Sequence, residues 1–174
     1  KTVPTRLASY VVLRDLIIVL HGGLDEHIGL LVTQTEKALK GAETSTGPST
    51  SIKTEILIFL NLLFRYHRPE FFDQYLDHLV PFIAAVITDK LQRETIEGFR
   101  VASELVAVLR APSISSTTSG KYKAYIEKLY TAIMVRLERS DSDQEIKEKG
   151  IDALSNLLAF AGDDLQEHFP KAFA

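Results

Sequence analysis

The sequence predicts an all-α protein whose helices stack in antiparallel pairs, an α-solenoid of about eight helices. Apolar residues recur at steps of three and four along most of the chain, and no segment of the sequence shows the convincing alternation of a strand. Local features also recur along the chain. When two insertions are subtracted from their intervals, a repeating unit of roughly 40 residues with two helices remains. The 174 residues are 45% hydrophobic, which suffices for a core.

Each predicted helix carries one apolar stripe that needs a neighbour. Between residues 93 and 110, Phe99, Ala102 and Leu105 share one face, while Arg100 and Glu104 face away. The predicted helices are 5–20, 25–40, 52–67, 70–88, 92–110, 121–139, 143–161 and 163–173.

The ends of these helices have three local causes. Glycine supplies the positive φ that closes a helix, proline cannot extend one, and aspartate can cap the next one. The glycines are Gly22, Gly23 and Gly162, the prolines are Pro69 and Pro112, and the caps are Asp143 and Asp163. The connections 41–51 and 111–120 consist largely of small and hydroxylated residues, so we expect them to be mobile.

The repeat rests on two recurring patterns. A basic residue near the start of a helix recurs at Lys53, Arg93 and Lys147, and an aromatic residue or His four positions before Leu recurs at His27, Tyr75 and Tyr125. We therefore expect a single segment of a longer solenoid, with apolar surface open at both ends. Its units are 1–22 (second helix only), 25–67, 70–110, 121–161 and 163–174 (first helix only).

Local motifs resemble the HEAT repeat. The stretch 141–147, followed by Gly150 and Ala153-Leu154, resembles the tight turn between the two helices of a HEAT unit. The resemblance implies that Asp141 and Lys147 bridge neighbouring units. Thr88-Asp89-Lys90 before Arg93 is a looser version of the turn. Leu79-Val80-Pro81 places proline inside a first helix, as HEAT repeats often do, and His168-Phe169-Pro170 repeats the pattern.

The stretch 52–165 resembles the cullin-associated and neddylation-dissociated family, and residues 3–40 fit an adjoining helix pair in its middle region. The match is carried by Asp143 to Lys149, Gly162 to Leu165, Leu79-Val80-Pro81 and Glu104-Leu105-Val106. The insertion 41–51 and the sparse identity depart from the family pattern, as a divergent fungal member would.

The resemblance implies a non-catalytic protein-binding scaffold without cofactors. Such a factor binds unneddylated cullin–RING ligases, blocks neddylation and promotes exchange of adaptor–substrate-receptor modules, which is SCF complex assembly and a regulation of protein ubiquitination. The family's known contacts lie toward its two ends, so the partner-binding residues here are unknown. The alternative is another HEAT scaffold, such as a nuclear transport receptor or a phosphatase scaffold. We expect the protein in the cytoplasm and nucleus.

Composition and spacing argue against other functions. With 20 basic and 23 acidic residues the net charge is −3, which disfavours nucleic-acid binding, and no apolar run reaches the length of a membrane span. No Cys is present, and no spacing indicates a nucleophile, a phosphate loop, a metal site or a small-molecule substrate. We therefore assign no catalytic, cofactor-binding or metal-binding residue.

The remaining polar candidates have structural interpretations. We expect the histidines at the surface or at helix ends: His21, His27, His67, His78 and His168. We interpret two carboxylate clusters as caps: Asp141/Asp143/Glu145 and Asp163/Asp164/Glu167. Glu145 and Lys149 suit an i,i+4 pair on a solvated face. Asn61 suits a hydrogen bond to an adjacent helix, and Gly98 and Gly150 suit close packing between units.

Overall fold

The computed structural model describes residues 3–43, 49–110, 119–168 and 170. In these ranges the chain forms α-helices and short 3₁₀ helices without a strand. The α-helices are α1 (Val3–Leu20), α2 (Ile28–Glu43), α3 (Ser49–Tyr66), α4 (Leu76–Ile87), α5 (Gln92–Leu109), α6 (Ser119–Leu137) and α7 (Gln144–Ala161). The 3₁₀ helices are Asp25–His27, Pro69–Tyr75 and Gly162–His168.

The α-helices form two layers. In the odd layer α1, α3, α5 and α7 lie side by side, each in contact with the next. In the even layer α4 contacts α6, and α2 contacts the 3₁₀ helix that precedes α4. Across the layers α2 packs on α3, α4 on α5 and α6 on α7. This arrangement of stacked pairs confirms the predicted all-α solenoid. The predicted bounds of its units stay a prediction.

Apolar residues from both layers form one continuous core. Its largest fully buried apolar side chains are those of Phe59, Phe72 and Phe99. Phe72 lies edge-to-face with Phe64, with ring centroids 4.9 Å apart, which ties the 3₁₀ helix to α3. None of the helices in the described ranges is both long and apolar enough to cross a membrane.

Three predicted helices are wrong in part. The segment 70–88 is a 3₁₀ helix, Pro69–Tyr75, followed by the shorter α4, and 163–173 is a 3₁₀ helix as far as His168. The first of these begins with Pro69, whose fixed φ suits the first turn of a helix. Similarly, 25–40 begins as a 3₁₀ helix before α2. Pro81 does lie inside α4, as predicted.

The two predicted connections, 41–51 and 111–120, are helical in part. Residues 41–43 continue α2, 49–51 begin α3, and 119–120 begin α6. The rest of both connections, with Pro112, lies outside the described residues, as does Phe169.

Some of the predicted helix ends are confirmed and others are wrong. Gly22 has φ 85°, as predicted, although His21 also has a positive φ of 40°. Asp143 caps α7, since its Oδ1 accepts a hydrogen bond 2.9 Å long from the Ile146 N–H. Gly162 has φ −56°, so the prediction of positive φ is wrong, because the chain passes directly from α7 into the 3₁₀ helix. Asp163 lies inside that helix and is not its cap.

Candidate interaction surface

Ion pairs join neighbouring helices of the odd layer. Between α1 and α3, Arg14 Nη1 lies 2.6 Å from Glu55 Oε2. Between α3 and α5, Arg65 donates to Glu104 Oε1 from Nη2 at 2.6 Å and from Nε at 3.0 Å. In each pair the earlier helix supplies the cation and the later helix supplies the carboxylate.

Two amide side chains extend this set of contacts. Asn61 Nδ2 on α3 donates to the Arg100 carbonyl on α5 over 3.1 Å, which confirms the predicted hydrogen bond to an adjacent helix. Gln92 Nε2 on α5 lies 3.5 Å from Glu145 Oε2 on α7. The polar side chains of the odd layer therefore connect four helices in chain order.

A polar groove of about 400 Å³ crosses α3, α5 and α7. Its floor includes the buried Phe99 ring, and its walls carry the exposed guanidinium groups of Arg65 and Arg100. Its other lining residues are Asn61, Ser103, Glu104, Lys149, Asp152 and Asn156. The groove offers amide, hydroxyl and charged groups of both signs.

The even layer is joined by tyrosine–aspartate hydrogen bonds. Tyr125 on α6 donates to Asp77 on α4 over 2.5 Å, and Tyr122 donates to Asp73 over 2.5 Å. One unit earlier, the Tyr75 hydroxyl faces Gly29 on α2, where an added Cβ would lie 2.9 Å from the hydroxyl oxygen. Tyr75 and Tyr125, which the repeat pattern pairs, therefore make equivalent approaches to the preceding helix.

A buried arginine fixes the turn between α6 and α7. Arg136, 1% exposed, donates from Nη1 to Asp141 Oδ1 at 3.0 Å and to Ser142 Oγ at 2.9 Å. Ser142 in turn donates to the Arg136 carbonyl over 2.8 Å. Arg139 also pairs with Asp141 at 2.6 Å and donates to the Thr88 carbonyl at 3.1 Å, which links the turn to the preceding helix pair.

The expected bridge between Asp141 and Lys147 is wrong, because the guanidinium groups of Arg139 and Arg136 occupy the carboxylate. Hydrogen bonding from Arg139, together with the charges of both arginines, lowers the pKa of Asp141 to about 2. The same pairing raises the pKa of Arg139. The link between successive pairs is therefore made by Arg139 through a backbone carbonyl.

Two glutamates of α5 are buried. Burial raises the pKa of Glu94, opposed by Lys53, whose Nζ lies 3.7 Å from Glu94 Oε2. Burial also raises the pKa of Glu97, opposed by Arg100, which donates to it over 2.6 Å. Glu94 has no exposed surface, and neither of its carboxylate oxygens accepts a hydrogen bond from the described residues.

Several predicted roles need correction. Lys149 pairs with Asp152 at 3.2 Å and not with Glu145, which contacts Gln92. Asp164 accepts a hydrogen bond from Arg110, so an ion pair to α5 explains it better than capping does. Within the described ranges no three His, Asp or Glu side chains converge as metal ligands.

The histidines have several environments. His67 follows α3, as expected for a helix-end residue, but it is buried, and burial lowers its pKa. Its Nδ1 lies 3.2 Å from the Leu63 carbonyl. His21 stacks edge-to-face on Tyr66, whereas His27 ends a 3₁₀ helix. His78 lines a groove between α2 and α4, and His168 packs on Tyr130.

Both predicted glycines lie at close contacts. A Cβ on Gly98 would lie 3.1 Å from Val86 Cγ1 on α4, and one on Gly150 would lie 2.6 Å from Leu137 Cδ2 on α6 and 3.1 Å from Phe99 Cζ on α5. Close packing is confirmed at both positions, but it joins neighbouring units only at Gly150, through Phe99, because Val86 lies in the same predicted unit as Gly98.

Sequence reasoning missed Arg136 and Glu94. Arg136 interrupts the apolar run Ala132-Ile133-Met134-Val135, and a lone cation in such a run indicates a buried charge. Glu94 is recognised as a charged residue at a core position only when the buried positions of the odd-layer helices are aligned.

The chain resembles one family over most of its length. The family described as "CAND1-like, TPR repeats" matches residues 22–154. The chain belongs to this CAND1-like family. The match agrees with the stacked helix pairs and confirms the predicted relation to the cullin-associated family of helical-repeat scaffolds.

Similar proteins come from several kingdoms. "Cullin-associated NEDD8-dissociated protein 1" of Arabidopsis thaliana is 34% identical over 98% of this chain and 14% of its own length. The protein of that name from Dictyostelium discoideum is 28% identical over 95% of this chain and 13% of its own length. "Cullin-associated NEDD8-dissociated protein 1, C-terminal part" of Emericella nidulans is 25% identical over 90% of this chain and 16% of its length. The chain thus spans a small part of these relatives.

Proposed function

We propose that this chain is a non-catalytic segment of a scaffold that binds cullin–RING ligases lacking the NEDD8 modifier. The observation that carries the proposal is membership of the CAND1-like family, whose relatives are named as cullin-associated and NEDD8-dissociated. This membership favours a cullin partner over a nuclear transport cargo or a phosphatase. The proposed role needs no nucleic acid, membrane, cofactor or small-molecule substrate.

The proposed mechanism is competition between partners. A scaffold that occupies unmodified cullin blocks neddylation and excludes adaptor–substrate-receptor modules, so that receptors exchange by mass action. Charged and amide side chains join each odd-layer helix to the next across a seam, as in Arg14–Glu55 and Arg65–Glu104. Such contacts favour a continuous surface whose curvature is set by the packing of each unit on the next. Contacts spread over many units would give this segment only part of the total affinity.

A pull-down with the full-length protein tests the role. We expect capture of a cullin–RING complex that lacks NEDD8 and little capture of the same complex after NEDD8 conjugation. Equal capture of both forms, or of neither, would refute the proposal.

Expression of a fluorescent fusion tests the accompanying proposal that the protein resides in the cytoplasm and nucleus.

Charge reversals test whether the polar groove contributes to this binding. Lys149 lines the groove from α7 and pairs with the exposed Asp152, so Lys149→Glu would repel a carboxylate-bearing partner surface without removing Arg100 from the buried Glu97. We expect at least tenfold weaker cullin binding with an unchanged far-UV circular dichroism spectrum. The matched control is Lys123→Glu on α6, an exposed lysine outside the groove, which should bind like wild type.

A further inference from the structure

The buried positions of the odd-layer helices align in a single register. Leu63 on α3, Leu105 on α5 and Leu157 on α7 are each fully buried and correspond to one another. In that register Leu60 corresponds to Ala102 and Leu154, all of them buried. The register therefore identifies equivalent core positions in three successive helix pairs.

One core position breaks the pattern. In this register Ile52 on α3 and Ile146 on α7 correspond to Glu94 on α5. Ile52 is 5% exposed, Ile146 is 2% exposed and Glu94 is 0% exposed, so the glutamate lies at least as deep as the isoleucines. Burying a carboxylate at an apolar position costs free energy unless hydrogen bonds or ion pairs compensate for it.

The compensation around Glu94 is incomplete. Neither of its oxygens accepts a hydrogen bond from the described residues, and Lys53 on α3 lies at 3.7 Å, beyond hydrogen-bonding distance. Asp89, in the turn before α5, adds repulsion. On α7, Glu145 lies at this end of α5, where its Oε2 is 3.5 Å from Gln92 Nε2. In the turn between α6 and α7, the positive charge of Arg139 attracts the carboxylate of Asp89.

We propose that Glu94 makes the seam between α3 and α5 a weak joint of the solenoid, less stable than an isoleucine at that position would make it. The α5–α7 seam carries Ile146 at the equivalent position and does not have this defect. A solenoid in which each pair contacts only its neighbours opens first at its weakest seam. The joint is thus the place where the stack changes curvature or separates.

The joint responds to pH in a defined direction. Since burial raises the pKa of Glu94, the folded joint favours the protonated carboxyl more than the unfolded chain does. Below the ordinary glutamate range, about pH 4.3, the carboxyl is protonated in both the folded and the unfolded chain, and the joint has its full stability. The free energy of unfolding then falls as pH rises through the raised pKa of the folded state. Lys53 limits the effect because its charge favours the ionised form.

Hydrogen exchange in the full-length protein tests the joint. Glu94→Ile should slow amide exchange in α3 and α5 by at least tenfold at pH 7.5. Glu94→Gln keeps the shape of the side chain and should remove the change in protection factor that wild type shows in these helices as pH rises from about 4, just below the ordinary glutamate range, to pH 7.5. The matched control Glu104→Ile lies on the same seam, where the carboxylate has its arginine, and should not slow exchange.

The reverse substitution gives an independent readout. Ile146→Glu should create a similar joint and accelerate exchange in α5 and α7 by at least tenfold, while Ile146→Val should alter it much less. Unchanged or faster exchange in Glu94→Ile, or equal pH dependence in wild type and Glu94→Gln, would overturn the proposal.

Discussion

Replacement of Arg136 by methionine is expected to destabilise the chain substantially. The arginine is 1% exposed, and its Nη1 makes two hydrogen bonds that hold the turn between α6 and α7. Methionine retains most of the aliphatic volume of arginine but cannot donate. The substitution therefore removes the polar part of the site while it leaves the packing largely in place.

The magnitude follows from two opposing terms. Hydrogen bonds that involve a charged group each contribute about 1.5–3 kcal/mol, so two bonds contribute about 3–6 kcal/mol. Removal of a buried charge offsets part of this loss, because an ion costs several kcal/mol to desolvate. Ser142 keeps its bond to the residue 136 carbonyl, and Asp141 keeps Arg139. We expect a net loss of about 2–3 kcal/mol.

Equilibrium unfolding in urea measures this loss. Lys123→Met is the control, since Lys123 forms an exposed pair with Glu127 on the same helix. Such a pair contributes about 0.3–0.5 kcal/mol. If Arg136→Met unfolds at the same urea concentration as the control, or at a higher one, the desolvation cost of the guanidinium exceeds the value of its bonds and the reasoning fails.

Two further substitutions test the packing and the electrostatics of the same unit. Gly150→Ala should destabilise by about 1 kcal/mol, because overpacking against Leu137 costs about 1–3 kcal/mol while alanine improves the helix by about 1 kcal/mol. Thermal unfolding beside Gly98→Ala, which has looser contacts and should be nearly neutral, checks this value. With a pKa of about 2, Asp141 should contribute stability above the ordinary aspartate range and lose it as pH falls through about 2. Acid unfolding curves of wild type and Asp141→Asn should therefore converge only near pH 2, and convergence near pH 4 would contradict the assignment.

Apolar periodicity was sufficient to predict the fold. The predicted stripe of α5, Phe99, Ala102 and Leu105, is buried as expected, because a core position needs only an apolar side chain at the right helical spacing. The cap at Asp143 was also predictable, since its hydrogen bond to Ile146 spans three residues and depends on local sequence alone.

Contacts between helices were less predictable. Asn61 indicated a bond to a neighbouring helix, but the sequence did not identify the Arg100 carbonyl as its acceptor. Asp141 had three basic residues within reach along the chain, and only the folded turn brings Arg136 and Arg139 to it while Lys147 lies on α7. Gly162 looked like a helix stop, but positive φ is needed only where the chain reverses, and here it continues into a 3₁₀ helix.

The seams of the odd layer explain how weak contacts can specify a stacking order. Arg14–Glu55, Lys53–Glu94 and Arg65–Glu104 each place the cation on the earlier helix and the carboxylate on the later one. The two partly exposed pairs, Arg14–Glu55 and Arg65–Glu104, contribute only about 0–1 kcal/mol each, and the buried carboxylate of Glu94 is costly to desolvate, so the pairs are not the main source of stability. A helix stacked in the reversed order would instead bring cation to cation, and like charges in contact disfavour that arrangement. The apolar stripes drive the helices together, and the direction of the ion pairs determines which neighbour each helix accepts.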